Sequence, residues 1–262
     1  MIAKVSHIFH ILADIARLPV ANLNFDLGLN SDDVKLTYQY FTKPHLRYKL
    51  FRNKTLGAAL VNLGELDTHE KYLGSIKGRN SGASFAKKAK SRGYVITEID
   101  RNQFVDEIHA INTSLETRQG HAMDPAYLKK QCHYPSLSNF KYYGVMNPDG
   151  KLMAYCTLGF YGDFAAFERL IGYRNNDGIM HLMLAEVICQ LIDAGQMKYV
   201  MYDTFFGATE GLKMFKTMLG FKPYRVKFSI SGERTDCRPK SSAGGGHLEL
   251  KIEQSDARPG SH

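Results

Sequence analysis

The sequence predicts an α/β (α+β) protein with a mixed, mostly antiparallel β-sheet flanked by helices and an N-terminal extension made of a helix and a β-hairpin. Three observations lead to this prediction. From Tyr142 onward the segments alternate as strand, strand, strand, helix, strand, helix, strand, strand, which is typical of a mixed sheet with helices on its faces. A turn signature stands at residues 147–150, and a long apolar helical segment closes on Gly195.

The composition allows a folded core without external support. The chain has 262 residues, of which 44% are hydrophobic, enough for one large core or two small ones without disulfides or metals. Its four cysteines lie far apart and form no zinc or redox motif, so we expect reduced thiols and no metal. Polar residues interrupt the apolar N-terminal stretch before it reaches membrane-spanning length. These features predict a cytoplasmic protein with no membrane span.

The first hundred residues are predicted to form a unit ahead of the main core. Apolar residues at three- and four-residue steps indicate a helix over residues 1–18. Two strand-like segments flanking Lys54 indicate a β-hairpin. We expect residues 1–100 to pack on, or partly duplicate, a core at 101–252, and residues 253–262 to form a disordered tail.

The charge is concentrated in one segment. The chain carries 34 Lys and Arg against 26 Asp and Glu, a net charge of +8, which favours phosphate-bearing partners such as nucleotides, coenzyme A or nucleic acid. Residues 77–92 hold six basic residues and no acidic one. Ser84 is predicted to cap a short helix there, which Gly93 ends. The basic face of that helix is either solvated or a dock for phosphates, and in the second case Lys87 and Lys88 contact the substrate.

The core elements follow in order. GYVITEID is predicted as a strand, and Asn102 as the cap of a helix that runs toward Asn112. KYYGVM and KLMAYCTLGFYG form a hairpin around residues 147–150, because proline presets the second turn position and glycine suits the fourth. The apolar helix begins after its cap, Asp177, and ends at Gly195. The other predicted segments are strands at 164–173, 198–206, 223–230 and 247–254 and a helix at 210–220.

The element order, ending in GLKMFKTMLGF before two last strands, resembles the fold of the GCN5-related N-acyltransferase superfamily over roughly the last 120 residues. The pattern YDTFFG, then Gly211, then FK followed by LGF is similar to the FemAB branch of that superfamily. The resemblance implies transfer of an acetyl, acyl or aminoacyl group from acyl-CoA or an aminoacyl-tRNA to an amine acceptor.

The resemblance also implies site residues. In that fold two central strands separate, and the donor's pyrophosphate lies at the start of the following helix, where unpaired backbone N–H groups bind anions. The matching positions here are Arg174, Asn176, Gly178, Ile179 and Met180.

The FK pair implies a reacting centre lined by Phe215 and Lys216, with Lys216 as the cation that stabilises an oxyanion or grips a donor phosphate. The alternative is that Phe215 is core and Lys216 is solvated on an amphipathic helix. His181, on the apolar helix, is expected in the core.

Polar side chains in strands and loops supply the other candidates. The loop at 111–125 gathers Arg118 to clamp a phosphate or carboxylate, Gln119 to orient an amide or base, and His121 to take a proton, unless it is only a surface turn. Glu168 lies in an apolar strand, where a carboxylate must be paired or must line a cleft, so it is a candidate general base.

Further candidates lie in the strands. Asp203 also lies in an apolar strand and either orients the Lys216 region or caps the following turn. Tyr143, Tyr155 and Tyr161 either face an acceptor groove or pack the sheet.

Two other functions stay open beside acyl transfer: a nucleic-acid-directed enzyme or binder that uses the basic helix, and a degenerate fold that only binds a partner. The donor is open too. Coenzyme A needs a free, electropositive helix start at Gly178, whereas tRNA needs the basic face of residues 77–92. No P-loop or serine-hydrolase elbow is present, so phosphoryl transfer and hydrolysis are not supported.

Overall fold

A computed structural model of the chain describes residues 15–45, 52–79, 81–118 and 121–232. The predicted helix at 1–18 lies mostly outside the described residues, and so do the first strand of the predicted hairpin, the strand at 247–254 and the tail. Within the described residues the fold is one eight-stranded sheet with helices on both faces, in the order β1-β10-β2-β9-β8-β7-β6-β3, and a separate two-stranded ribbon, β4-β5.

The strands are β1 (Val20–Asp26), β2 (Leu56–Asn62), β3 (Val95–Glu98), β4 (Thr117–Arg118), β5 (His121–Ala122), β6 (Phe140–Met146), β7 (Leu152–Phe160), β8 (Phe164–Gly172), β9 (Tyr199–Thr204) and β10 (Lys222–Ser231). The helices are α1 (Ser31–Thr42), α2 (His69–Ser75), α3 (Gly82–Ser91), α4 (Val105–Thr113), α5 (Pro125–Leu128), α6 (Ile179–Ala194) and α7 (Glu210–Met218), with a 3-10 helix at Arg101–Phe104.

The sheet is mixed and mostly antiparallel, as predicted. Only β1–β10 and β8–β9 pair in parallel; the other neighbours in the described sheet are antiparallel. Strand β2 was predicted as half of a hairpin, but β10 and β9 occupy its two edges. The N-terminal part of the chain therefore contributes an interior strand to the sheet.

Alternating side chains of the strands build a core on each face, because successive residues of a strand point to opposite sides. On one face, Cys156 and its neighbours in β7 pack under α2, α3 and α6. Helix α6 alone buries ten residues there, and each of the Leu, Ile, Val and Met side chains among them contributes roughly 1.5–3 kcal/mol when fully buried. On the other face, Phe25 packs with α1 at one end of the sheet, and Tyr155 packs with α4 at the other.

Several predicted boundaries hold, because they depend on local turn chemistry. The hairpin of β6 and β7 turns where the Gly150 N–H donates to the Asn147 carbonyl at 2.9 Å. Helix α6 ends at Gly195, which takes a left-handed φ of 62° that glycine adopts without strain. Gly93 follows the end of α3 with φ 79°.

Three predicted caps were wrong: a neighbouring polar residue fills the cap position in two cases, and a glycine fills it in the third. Ser81, not Ser84, caps α3, and the two serines form a reciprocal capping box. Asp100 caps the 3-10 helix that precedes α4, while Asn102 bonds the backbone of Tyr134. Helix α6 begins after Gly178 without a side-chain cap, since Asp177 instead accepts a hydrogen bond from Tyr94 and pairs with Arg92.

The described residues contain no helix that is both long and apolar enough to span a membrane. Their three cysteines are free thiols: Cys132 is exposed, and Cys156 and Cys189 are buried.

Candidate active site

A split between two parallel strands shapes the candidate site. Strands β8 and β9 pair over three residue pairs, from Phe164↔Tyr199 to Ala166↔Met201, and then separate. Two β-bulges lie just beyond the split, and bulges re-aim side chains. In β8, Thr157 of β7 pairs with Arg169 and Leu158 with Phe167, so Glu168 is the extra residue.

The second bulge lies in β9. Ala58 of β2 pairs with Thr204 and Leu60 with Met201, which leaves two residues of β9, Tyr202 and Asp203, opposite a single residue of β2. Glu168 and Asp203 therefore stand on the two strands that border the gap.

Asp203 forms an ion pair with Lys54, which precedes β2. The Lys54 Nζ donates to Oδ1 of Asp203, whose side chain is about half-exposed. Burial alone would raise the pKa of Asp203, but the charges of Lys54 and then Lys216 outweigh it and hold that pKa below its ordinary value. Burial would likewise lower the pKa of Lys54, but Asp203 outweighs it and raises that pKa. Both groups of the pair are therefore ionised at neutral pH.

Glu168 accepts a hydrogen bond from the buried hydroxyl of Tyr161, at 2.7 Å to Oε1. Gly159 makes room for that hydroxyl, since a Cβ at this position would lie 2.5 Å from it. Desolvation raises the pKa of Glu168, against the opposing effects of Tyr161 and Lys54. Because the side chain also reaches solvent, Glu168 is a carboxylate that takes up a proton more readily than an ordinary glutamate.

Lys216 is fully buried on α7, so the predicted alternative of a solvated lysine is wrong. Its Nζ donates to the Thr204 carbonyl at 2.7 Å and lies 4.8 Å from the ring centroid of Tyr202. Desolvation lowers the pKa of Lys216 to about 8, with Asp203 opposing and Lys54 adding to the shift. Near neutral pH this lysine is mostly charged, but it can release its proton.

Aromatic rings connect α7 to the start of α6. The ring of Phe215 meets that of His181 edge to face at 4.7 Å, and His181 stacks on Phe85 at 4.7 Å. Burial lowers the pKa of His181 to about 4, and its buried Nε2 has no hydrogen-bond partner among the described residues. His181 is therefore neutral and packs between two aromatic rings, half-buried at the edge of the predicted core.

Helix α3 lies against the predicted donor loop. A Cβ on Gly178 would stand 2.3 Å from the carbonyl oxygen of Phe85, so the two backbones are in direct contact. The Lys88 Nζ donates to the Asn176 carbonyl. The other predicted residues of this loop range from exposed Arg174 to half-buried Met180 and buried Ile179.

The remaining predicted residues lie elsewhere. Arg118 and His121 pair with each other in the β4-β5 ribbon; their side chains, and Gln119, lie outside the described residues. Tyr143 is buried in the core. Tyr155 is buried as well, and its hydroxyl donates to Asn112 at 2.7 Å.

The exposed Lys87 lies on α3, on the opposite side of the sheet from Glu168. One residue at the gap, Lys54, was not predicted as a site residue. Lys54 lay in a predicted turn, and a turn pattern does not indicate that its lysine pairs with Asp203, almost 150 positions away.

The mixed, mostly antiparallel sheet, the split parallel pair and a helix after each strand of that pair match the arrangement that the GCN5-related and FemAB-like resemblance implies. No protein-family profile and no curated protein matches the sequence.

Among solved structures, the chain is similar to FemX, with 11% identity and a TM-score of 0.48 over 64% of this chain and 59% of that one. It is also similar to L-PGS from Bacillus licheniformis, with 13% identity, a TM-score of 0.41 and 63% and 57% of the two chains covered. A GCN5-related N-acetyltransferase from Kribbella flavida has 12% identity and a TM-score of 0.37, with 64% and 54% covered. The chain thus spans less than two thirds of the length of each of these proteins.

Proposed function

We propose that this chain is an acyltransferase that moves an acyl or aminoacyl group from an activated ester or thioester to an amine. The observation that carries the proposal is the convergence of charged groups where β8 and β9 separate. Glu168, a carboxylate with a raised pKa, lies on one strand. Asp203 lies on the other strand and interacts with the charges of Lys54 and Lys216. Acyl transfer needs such a base for the amine and positive charge for the oxyanion.

Glu168 is the base in this proposal. An amine is protonated at neutral pH and must lose a proton before it attacks. The hydrogen bond from Tyr161 fixes one carboxylate oxygen, and the second oxygen accepts the proton from the amine. The nitrogen lone pair then forms the N–C bond to the carbonyl carbon of the donor, whose oxygen becomes an oxyanion.

Lys216 supplies the positive charge for that oxyanion, and because its side chain is fully buried it acts through its electrostatic field rather than by contact. The hydrogen bond that its Nζ donates to the Thr204 carbonyl holds the charge in place. Its position in a desolvated, aromatic environment strengthens its interaction with a developing negative charge. Collapse of the intermediate breaks the C–O or C–S bond to the donor. The departing oxygen or sulfur takes up the second proton that the nitrogen loses, and Glu168 releases the first to solvent.

The donor that we favour is an aminoacyl ester of tRNA rather than a coenzyme A thioester. Coenzyme A requires a free start of α6, and the contact of Phe85 with Gly178 closes this position on one side. A cleft of about 520 Å³ lies beside α7 instead, lined by Lys77, Arg79 and Lys213 together with one carboxylate-bearing residue, Glu210. Exposed cations of this kind suit the phosphates of a nucleic acid.

The test is a transfer assay with binding measured alongside. The purified chain is titrated with acetyl-CoA and with an aminoacyl-tRNA at two salt concentrations, and then incubated with each donor and a panel of amines for mass spectrometry. We expect tRNA binding that weakens with salt and with Lys77→Ala in the cleft beside α7, but not with Lys35→Ala, an exposed lysine on α1. We expect Glu168→Gln to lower transfer and leave donor binding intact.

Other outcomes assign the chain differently. Saturable acetyl-CoA binding with transfer would support the acyltransferase activity and identify coenzyme A, not tRNA, as the donor's carrier. Binding of neither donor, and no transfer, would contradict the proposal and favour a chain that only binds a partner. Salt-dependent nucleic-acid binding without any transfer would favour a nucleic-acid binder.

A further inference from the structure

Two arginines share one aromatic cluster, on the face of the sheet that α4 covers. The Cζ of Arg101 lies 3.7 Å from the ring centroid of Tyr142 and 5.0 Å from that of Tyr134. The Cζ of Arg169 lies 5.2 Å from the ring centroid of Tyr127. Among the described residues, neither guanidinium forms a salt bridge with a carboxylate.

The two charges act on each other. Burial is the main cause that lowers the pKa of Arg101; Tyr142 opposes it, and Arg169 adds to it. Two like charges in a partly desolvated cluster are unfavourable unless a negative charge joins them. Tyrosine faces offset part of that cost, yet a guanidinium is suited to a carboxylate or phosphate, which it binds through two parallel hydrogen bonds.

The position of Arg169 connects this cluster to the proposed reacting centre. Arg169 directly follows Glu168, and consecutive Cα atoms of a chain are about 3.8 Å apart. Across the ladder, Arg169 pairs with Thr157 of β7. Thr157 is 6% exposed, and its Oγ1 is buried without a hydrogen-bond partner among the described residues. Arg169 and the unused hydroxyl of Thr157 are therefore partners across the ladder, one residue along β8 from the carboxylate that would accept the proton from the amine.

We propose that Arg169, with Arg101 behind it, binds an anionic group of the acceptor, so that the acceptor is an amine carrying a carboxylate or phosphate a few bonds away. The assignment of the amine to Glu168 rests on the proposed acyl transfer. The anion site itself does not, since it is defined by Arg169, Arg101 and Thr157. Its role is to select and position the acceptor.

The experiment measures binding by calorimetry, without any donor, at constant ionic strength and neutral pH. Three probes share an amine: β-alanine carries a carboxylate, O-phosphoethanolamine a phosphate, and propylamine no anion. Because hydrogen bonds to charged groups are the strong ones, we expect one of the two anionic probes to bind at least about tenfold more tightly than propylamine. Which of them does so distinguishes a carboxylate acceptor from a phosphate acceptor.

Variants locate the effect. Arg169→Gln is expected to lower the affinity for the anionic probes to that for propylamine. Arg169→Lys is expected to retain part of the preference for an anion, since lysine keeps the charge and lacks the planar guanidinium. Arg52→Gln, which removes an exposed arginine outside the cluster, is expected to change nothing. Circular dichroism and the Tm confirm that each variant is folded.

Equal binding of all three probes to the unaltered chain would overturn the inference, and this comparison needs no variant. An anion preference that survives in Arg169→Gln would overturn it as well. The proposed acyl transfer is tested separately. Anion binding without any transfer would contradict only the proposed acyltransferase activity. Transfer to amines with no preference for an anion would contradict only the proposed anion site.

Discussion

Lys54 and Asp203, the two non-glycine residues of the described chain that have a left-handed backbone, form an ion pair with each other. Their φ angles are 46° and 55°, and the Lys54 Nζ donates to the Asp203 carboxylate. Each such backbone costs on the order of 1–3 kcal/mol unless the surroundings hold it. Strain of this kind concentrates at functional sites, and here Asp203 lies on a strand that borders the gap between β8 and β9, with Lys54 as its charge partner.

Removal of the Asp203 charge is the first test of the cluster. Asp203→Asn keeps the shape but takes away the counter-charge of Lys54 and Lys216. Asp203 raises the pKa of both lysines, so both values fall in the variant, and a larger fraction of Lys216 is neutral at pH 7. We expect transfer at pH 7 to fall on the order of 10- to 100-fold, and the alkaline limb of the pH–rate profile to move to lower pH.

The control for that variant is Asp163→Asn, because Asp163 also pairs with a lysine, Lys198 at 3.2 Å, outside the cluster. It should leave the profile in place. The same shift in both variants would mean that any lost ion pair disturbs the fold, and that Asp203 has no special role in transfer.

Tyr161→Phe tests the orientation of the proposed base. The hydroxyl of Tyr161 lowers the pKa of Glu168, so its loss raises that pKa. Since Glu168 acts as a base only when deprotonated, we expect the acid limb of the pH–rate profile to move to higher pH, while the rate at the plateau changes less. Tyr224→Phe, a buried tyrosine elsewhere in the sheet, is the matched control. An unmoved acid limb in Tyr161→Phe would show that Glu168 is not the titrating base.

Lys216→Met is expected to stabilise the fold, with a definite pH dependence. The pKa of Lys216 is about 8 in the folded chain against an ordinary 10.5. Between these values Lys216 is protonated in the unfolded chain and neutral in the folded chain. Lys216 therefore destabilises the fold fully below pH 8, and this destabilisation disappears as the pH rises through the window. Replacement of a buried charge by an apolar side chain of similar volume is often neutral or stabilising by about 1–4 kcal/mol.

We therefore expect Lys216→Met to have the higher free energy of unfolding at pH 7, and the difference to shrink toward pH 10.5. Urea titrations at several pH values measure it. A difference that stays constant with pH would mean that Lys216 does not titrate with a lowered pKa. Loss of transfer in the more stable variant would separate function from stability.

The parts of the fold set by local chemistry could be predicted from the sequence. Glycine at the end of α6 and the turn around Gly150 depend on a few neighbouring residues, and the sequence predicts both. The interior position of β2 depends on pairing with strands more than a hundred residues away, which hydrophobic periodicity does not specify. For this reason the prediction of β2 as half of a hairpin does not identify β9 and β10 as the strands that pair with it.

The site shows the same division. Glu168 could be identified from the sequence because a carboxylate in an apolar strand must be paired or must line a cleft. The FK pair indicated Lys216. Lys54 could not, because its role depends on a left-handed backbone and a partner brought close by the sheet. The burial of Lys216 could not be predicted either, since helix periodicity alone does not show how deeply α7 sits on its neighbours.

Gly178→Ala tests whether α3 closes the start of α6. At this position φ is 83°, and an added Cβ would stand 2.3 Å from the Phe85 carbonyl oxygen, which is backbone and cannot rotate away. Gly195→Ala is the matched control, because φ is 62° there and nothing lies within 4 Å of the new Cβ.

Strain alone accounts for about 1 kcal/mol in Gly195→Ala. We expect Gly178→Ala to lose at least about twice that free energy of unfolding, because α3 must move as well, and hydrogen exchange to show faster opening of α3. Equal losses in the two variants would mean that α3 is not held against α6. If opening of α3 also allows acetyl-CoA to bind, the contact between Phe85 and Gly178 is what excludes that donor from the chain.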